Sequence, residues 1–478
     1  MARRRHLPPF EVEIERLARG GTGEGTAPDG APVRVRFAPP GGRVHVVPQG
    51  RRKGVWSGRR TALIRPPAGA VAPPCPVFAL CGGCALQELP LEAQRAAKAD
   101  WGLRRADGAW AATGRPRSPE ARLHPPRGVP QPYAYRNKIE LSFGTAQYLS
   151  EAALHAGEPI DGRFLGFHAP GRFDRVVDTG RCWLVGDAMN ALIAATRAVA
   201  LAPEAPPPYD ARSHEGFWRH LVLRQGMATG ELLAVLDTTP ATGDEAALLA
   251  PWVEALLATD LGDARLVGVV WAENAGVADV AQGEVRRVWG RDWLEERLLG
   301  RTFSLSATSF FQTSTAGAEV LYQTVAEALG DVGGTLVDLY CGTGTIGIVL
   351  ADRFDRVIGI EENPEAVADA RANAARNQVQ ESTWEVGRVE DALEVLRGLE
   401  GRRSLVVDPP RPGLHPSVAE HLARARADVL VYVACNPASL GRDGAILHEG
   451  GWRLTDLWAV DLFPQTGHVE LVGRFIRP

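Results

Sequence analysis

Thr335-Leu-Val-Asp-Leu-Tyr-Cys-Gly-Thr-Gly-Thr-Ile-Gly347 passes from an apolar, strand-like run through a glycine turn into a helix. Glycines at such a turn let a ligand approach the backbone beside a helix N-terminus. Downstream the same alternation repeats. Arg356-Val-Ile-Gly-Ile, Ser404-Leu-Val-Val-Asp and Asp428-Val-Leu-Val-Tyr-Val read as strands, and 345–353, 364–377 and 416–426 as helices. Strands alternating with helices predict a parallel, doubly wound α/β sheet over 296–478.

Gly342, Gly344 and Gly347 spell G-x-G-x-x-G, so a dinucleotide such as NAD must be weighed. Asp338 stands four residues before the first glycine, where it can meet a cationic methionine part. Glu361 ends the next strand, where it can accept from ribose hydroxyls. The first feature favours S-adenosylmethionine; the second is shared with NAD. Asp408-Pro409-Pro410-Arg411 closes a further strand, and strand carboxyl ends are where open α/β sheets bind ligands. Amino-group methylases carry an aromatic residue after such a Pro-Pro; Arg411 stands there instead and favours a different target atom.

Val431-Tyr-Val-Ala-Cys-Asn-Pro437 sets Cys435 just past another apolar strand. A lone cysteine is most often a small buried hydrophobe. Carbon 5 of uracil, however, is a poor nucleophile until a thiolate adds to carbon 6, and a base must later remove the carbon-5 proton. Cys435 can supply the thiolate, which Arg411 or nearby backbone dipoles would favour. Gly467-His468-Val469-Glu470 offers the base, and strand alternation would put His468 and Glu470 on one face.

Upstream, Phe10-Glu-Val-Glu-Ile-Glu, Val33-Arg-Val-Arg-Phe and Arg43-Val-His-Val-Val alternate with period two between glycine and proline turns, which predicts a small β-barrel over 1–72. Residues 1–74 hold 14 basic against 5 acidic groups in a chain of net charge −4. A basic module on an acidic body suits a polyanion. Cys75, Cys81 and Cys84 lie within ten residues, with Cys182 further on. Four thiolates suit either tetrahedral zinc or a [4Fe–4S] cluster, and spacing does not separate the two. The stretch 73–295 reads as a central α+β domain. Tyr133, Tyr135, Arg136, Lys138, Phe217, Trp218, Arg219, His220 and Arg224 mix aromatic with basic groups, as an RNA surface would. No run approaches the roughly 18 apolar residues of a membrane span. The basic start also lacks an apolar signal core, so a cytoplasmic location is expected.

Taken in order, Cys81-Gly-Gly-Cys, Tyr135-Arg-Asn-Lys, Phe310-Phe-Gln, Asp338-Leu-Tyr-Cys-Gly-x-Gly, Asp408-Pro-Pro-Arg, Cys435-Asn-Pro and His468-Val-Glu resemble the RNA 5-methyluridine methyltransferases over nearly the whole chain. The resemblance implies a Rossmann-like S-adenosylmethionine domain, Cys435 as nucleophile and Glu470 as general base. It implies Gln312, Tyr340, Thr345, Glu361 and Asp408 as cofactor contacts and Phe310 as an aromatic stacking near a flipped base. It also implies Cys75, Cys81, Cys84 and Cys182 as ligands of a [4Fe–4S] cluster. The β-rich N-terminus resembles a TRAM domain, an RNA-binding barrel of the OB type. That arrangement looks most like the branch acting on 23S ribosomal RNA, with transfer RNA as the alternative and no obligate protein partner inferred. Thr345 stands where many members have Asn, and Arg388 where some have Asn or Asp, so Arg388 is left outside the site. A non-catalytic RNA-binding protein is the rival of a different class.

Overall fold

The computed structural model describes residues 7–477 apart from 117, 119–120, 242–244, 279, 332 and 390–397. The basic run at 3–5 lies outside the described residues.

Phe10–Glu13 (β1), Arg16–Ala18 (β2), Thr22–Thr26 (β3), Pro32–Val35 (β4), Arg43–Arg52 (β5) and Val55–Arg65 (β6) form one sheet. β1 pairs with β5. Past a bend at Ile14 and Glu15 the same segment pairs through β2 with β3. One continuous stretch therefore joins both ends of the sheet. The period-two pattern turns Val12, Val33, Val35, Val44, Val46 and Trp56 inward as a core of their own.

Next come Leu91–Ala111 (α1) and two short strands, Arg122–Leu123 (β7) and Arg127–Gly128 (β8). The central sheet holds Lys138–Ala146 (β9), Asp161–His168 (β10), Val176–Asp178 (β11), Trp218–Gln225 (β12), Glu231–Thr238 (β13), Arg265–Glu273 (β14) and Glu284–Gly290 (β15). Its order is β11-β10-β9-β12-β13-β14-β15, antiparallel except for β13 with β14. The helices between these strands are Glu151–His155 (α2), Asp187–Ala200 (α3) and Glu245–Leu257 (α4). Met189, Leu192 and Ile193 of α3 and Trp252 and Leu256 of α4 bury one face of the sheet with Leu221, Leu223 and Leu232. From the other face Val222, Leu233 and Val235 enter the core of the C-terminal unit.

The C-terminal unit continues with a hairpin, Trp293–Leu298 (β16) and Arg301–Ser306 (β17), and the helix Thr315–Leu329 (α5). Then strands and helices alternate: Thr335–Leu339 (β18), Thr345–Leu350 (α6), Arg356–Glu361 (β19), Pro364–Arg376 (α7), Ser382–Val386 (β20), Arg403–Val407 (β21), Pro416–Arg424 (α8), Val429–Ala434 (β22) and Pro437–Glu449 (α9). Arg453–Asp461 (β23) and Glu470–Ile476 (β24) close the chain. The sheet order is β20-β19-β18-β21-β22-β24-β23-β7. β18 to β22 are parallel, and β24 runs antiparallel between β22 and β23. This is the doubly wound sheet the alternation predicts.

The sequence grouping of 73–295 separates at its start. α1 packs Ala99, Ala106 and Trp110 into the C-terminal core, and β7 and β8 extend that sheet along β23. Small residues allow the close approach: a Cβ on Gly441 of α9 would lie 2.0 Å from the Ala106 carbonyl oxygen. No described helix is long and apolar enough to cross a membrane.

Candidate active site

Parallel strands end on one edge of a sheet, and that edge collects the sequence motifs. Tyr340 follows β18, Glu361 ends β19, Asp408 follows β21 and Cys435 follows β22. The neighbours of β18 are β19 and β21, so the strand order reverses there, where open α/β sheets bind ligands. Because β24 is antiparallel, its first residue, Glu470, reaches the same edge. Ala434 pairs with Leu471, which sets Cys435 across from Glu470.

The glycine turn divides into two roles. Tyr340 adopts φ +62° although it is not glycine, and Gly342 follows at φ +54°. A Cβ on Gly342 would meet nothing within 4 Å, so open space lies over that backbone. Gly344 and Gly347 serve packing instead: a Cβ on either would come within 2.9 Å of the Trp384 ring. The Gly342 N–H donates to Glu361 (3.1 Å), and the Gly347 N–H donates to Asp338 Oδ2 (3.0 Å). The other oxygen, Asp338 Oδ1, is buried without a hydrogen-bond partner. Tyr322 donates to Thr345 Oγ1 (3.2 Å).

Carboxyl groups crowd this edge. Burial pushes Asp338 up to about 7, with Asp408 and Glu361 adding to the rise. Burial alone takes Asp408 to about 7. Burial and then Asp408 take Glu470 to about 8, against the pull of Arg411. Cys435 is exposed, yet partial withdrawal from water and the charges of Glu470 and Asp408 push its thiol up to about 11. Arg411 acts in the expected direction but is outweighed. The backbone dipoles were also expected to help. Cys435 directly precedes Asn436, whose side chain caps α9 by accepting from the Ala438 N–H (3.3 Å), so the residue stands next to a helix N-terminus.

Phe310 is 74% exposed, whereas its neighbour Phe311 is buried in the core. The segment carrying Phe310 and Gln312 is tied to the central sheet: Asn137 donates to the Gln312 carbonyl (2.8 Å) and to the Thr313 carbonyl (3.0 Å). His468 departs from the sequence expectation. β24 begins only at Glu470, so alternation does not reach His468, which is exposed while Glu470 is buried. The atoms around its ring, with Arg411, Lys98 and Arg136, hold His468 below the usual imidazole range.

Beside Cys435 opens a cleft of about 340 Å³ lined by Arg19 and Gly20 of the N-terminal sheet, Trp101 and Arg105 of α1, Arg411 and His468. Sequence reading passed over Arg19, Trp101, Arg105 and Tyr322. The available signal was the Trp101–Arg105 spacing, which puts both on one helix face. The expected aromatic-basic surface of the central domain is instead largely core. Tyr135, Phe217, Trp218, Arg219, His220 and Arg224 are all buried, and Arg219 and Arg224 donate to backbone carbonyls.

Cys75, Cys81, Cys84 and Cys182 line one small pocket walled by Val77, Phe78, Ile139, Phe167 and Trp183. Burial raises all four thiols, and other cysteines of the group add to the rise at Cys81, Cys84 and Cys182; Cys81 and Cys84 reach about 12. Among the described residues no three His, Cys, Asp or Glu side chains are grouped to hold a single metal ion. Cys341 is separate and buried beneath the glycine turn.

Known proteins share this architecture. An RNA methyltransferase of Caldanaerobacter subterraneus is 37% identical over 97% of this chain and 97% of its own. One from Clostridium acetobutylicum is 34% identical over 92% of this chain and 91% of its own. The tRNA (uracil-5-)-methyltransferase family matches residues 277–477. The chain belongs to the RNA (uracil-5-)-methyltransferase family. Among solved structures, the Pyrococcus abyssi tRNA (uracil-54, C5)-methyltransferase, in complex with S-adenosyl-L-homocysteine, is similar across 98% of this chain and 100% of its own, with a TM-score of 0.73 and 26% identity.

Proposed function

We propose that this family member transfers a methyl group from S-adenosylmethionine to carbon 5 of a uridine in RNA. The observation that carries the reading is the register placing Cys435 opposite Glu470 at the edge where Asp338, Glu361 and Asp408 converge. The residues fit the methyl donor. Gly342 leaves open space over its backbone, Asp338 keeps a buried oxygen unpartnered, and the carboxyls of Asp338 and Asp408, raised chiefly by burial, would be relieved by a cation. Tyr340, Thr345, Glu361, Asp408 and Gln312 would hold it. When bound, the donor supplies an electrophilic methyl on a sulfonium sulfur.

The chain's own groups do the rest. The Cys435 thiol gives its proton to solvent water at the open cleft and its sulfur bonds to carbon 6 of the uracil, leaving an enolate nucleophilic at carbon 5. Once carbon 5 carries the methyl, the S–CH3 bond having broken to leave a neutral thioether, Glu470 takes the proton from that carbon. The electron pair restores the carbon 5–carbon 6 double bond and the Cys435 thiolate leaves. Glu470 must be ionised for this, so a cation bound nearby helps by lowering its pKa from about 8. Phe310 is free to stack on a base that has left its helix, which suits an unpaired or distorted uridine.

The N-terminal sheet, with its basic charge and its Arg19–Gly20 turn at the cleft, would act as the TRAM-type RNA-binding module. The four converging cysteines fit a [4Fe–4S] cluster in an apolar pocket. Zinc is the alternative, since four thiolates also suit a tetrahedral ion. The preferred substrate is 23S ribosomal RNA. A specific observation favours transfer RNA as the second reading: the Pyrococcus transfer-RNA enzyme matches this chain end to end, so architecture alone does not separate the two. Labelled S-adenosylmethionine with unmodified 23S and transfer RNA, followed by nucleoside mass spectrometry, tests both. 5-Methyluridine in 23S RNA supports the preferred substrate, and in transfer RNA alone the second. A different methylated nucleoside would overturn the reading.

A further inference from the structure

The turn between β23 and β24, residues 462–469, leads directly into Glu470, and it is held from several elements at once. Lys98 of α1 donates to Asp461 Oδ1 (2.7 Å) and to the Phe463 carbonyl (2.9 Å). Tyr135 donates to the Pro464 carbonyl (2.8 Å). Gly21 of the N-terminal sheet packs so tightly that a Cβ on Gly467 would lie 2.1 Å from its nitrogen.

Gln465 is the centre of this arrangement. It is 3% exposed and holds φ +69° without being glycine. Such a conformation persists in a residue with a Cβ only where its surroundings fix it. Here they do. The Gln465 N–H donates to Gln94 Oε1 (2.7 Å), and Gln94 Nε2 donates back to Gln465 Oε1 (3.0 Å) and to the Leu89 carbonyl (2.8 Å). The Gln465 carbonyl accepts from the Ala85 and Leu86 N–H groups (2.7 and 3.0 Å), directly after Cys84. Gln94 is wholly buried, so the two amides satisfy each other where water is excluded.

These bonds end on residues 461–465. Cys435 is held by β22 and by the start of α9. Glu470, by contrast, is the first residue of β24, and its backbone pairs with Val460 on the far side of this same turn. Cys435 and Glu470 thus share the β22–β24 pairing, while the bonds to residues 461–465 act on the turn that leads into Glu470.

We propose that Gln465, clasped by Gln94, is a positioning residue that fixes the 462–469 turn and so aims the Glu470 carboxyl at the substrate. The inference rests on the proposed uridine methylation. It assigns the pair to the second half of the reaction, proton removal and release of Cys435, and not to the addition that precedes it.

Single-turnover reactions with the full chain separate the halves. Thiol addition and methyl transfer are read as the appearance of a denaturant-resistant protein–RNA adduct, and proton removal as its decay. In Gln94→Leu the adduct should form within about threefold of the wild-type rate and decay at least tenfold more slowly, so that methylated adduct accumulates. Gln465→Asn tolerates a positive φ and keeps an amide, so it should show a smaller delay in decay alone; it also carries the test should Gln94→Leu fail to fold. Formation and decay slowed in equal proportion would overturn the proposal and leave only a structural role, and so would wild-type rates for both. A wild-type chain that forms neither adduct nor methylated RNA would mark a failure of the uridine reading instead.

Discussion

Ala434 pairs with Leu471 across two antiparallel strands, and this register sets Cys435 opposite Glu470. The two groups differ in setting: the thiol opens onto a basic cleft, and the carboxyl is buried beneath it. Cys435→Ala should abolish methyl transfer and adduct formation together. Because Cys435 is exposed past a strand end, the change should alter stability by no more than about 0.5 kcal/mol. A thermal melt beside the methylation assay checks both; residual 5-methyluridine from the variant would remove Cys435 from the chemistry.

The raised carboxyl of Glu470 makes a pH prediction. Folded Glu470 keeps its proton up to about 8, whereas an unfolded glutamate loses it near 4.5. Between those values the folded state binds more protons, so stability falls as pH rises through the window. Glu470→Gln does not titrate. Its stability relative to wild type should therefore grow from pH 5 to pH 8.5, at a rate on the order of 1.4 kcal/mol for each pH step of one inside that window. Melting curves at both pH values measure this, and parallel pH profiles for the two proteins would contradict it.

Activity should move the opposite way. Glu470 acts as a base only when ionised, and Cys435, raised to about 11, adds only as thiolate. In the wild type kcat/KM should climb by at least about tenfold from pH 6.5 to pH 8.5, since it reports the groups of the free enzyme. A flat profile would mean that neither group limits the reaction.

The glycine turn separates binding from packing. A Cβ on Gly347 would meet Trp384, Val357 and Asp338 Oδ2, so Gly347→Ala should cost about 1–3 kcal/mol of stability through overpacking. Gly342→Ala meets no atom and carries only the penalty of φ +54°, about 1–2 kcal/mol. Its methyl nevertheless enters the open space assigned to the donor, so it should weaken S-adenosylmethionine binding at least tenfold. Calorimetric titration decides; unchanged affinity in Gly342→Ala would move the donor elsewhere.

Lys98 and Asp461 form an ion pair with both side chains no more than 2% exposed. Lys98→Met leaves a buried carboxylate unpaired and should destabilise by about 3–5 kcal/mol, whereas Lys98→Met with Asp461→Leu should recover much of that loss. Denaturant unfolding of the three proteins tests the pairing, and additive losses would contradict it.

Local sequence was enough for most of the C-terminal elements and for the motifs at their ends. Alternation of strand and helix set the doubly wound sheet, because each element must bury its own apolar face. The glycine turn, Asp408-Pro-Pro and Cys435-Asn-Pro each sit just past a parallel strand, so strand direction alone brings them to one edge. The aromatic-basic residues around 217–224 misled, because arginines can be buried on backbone carbonyls and periodicity does not distinguish that from a surface. Nor did the sequence separate α1 from the central unit: its small residues pack on α9, a partner more than 300 residues away. What only the tertiary structure decided is the insertion of β24 between β22 and β23. Antiparallel pairing reverses that strand, carries Glu470 to the edge where Cys435 lies, and leaves its approach to be set by a turn held from α1, the cysteine loop and the N-terminal sheet. Hydrogen-bond register between distant segments is a property of the assembled sheet, and no local pattern encodes it.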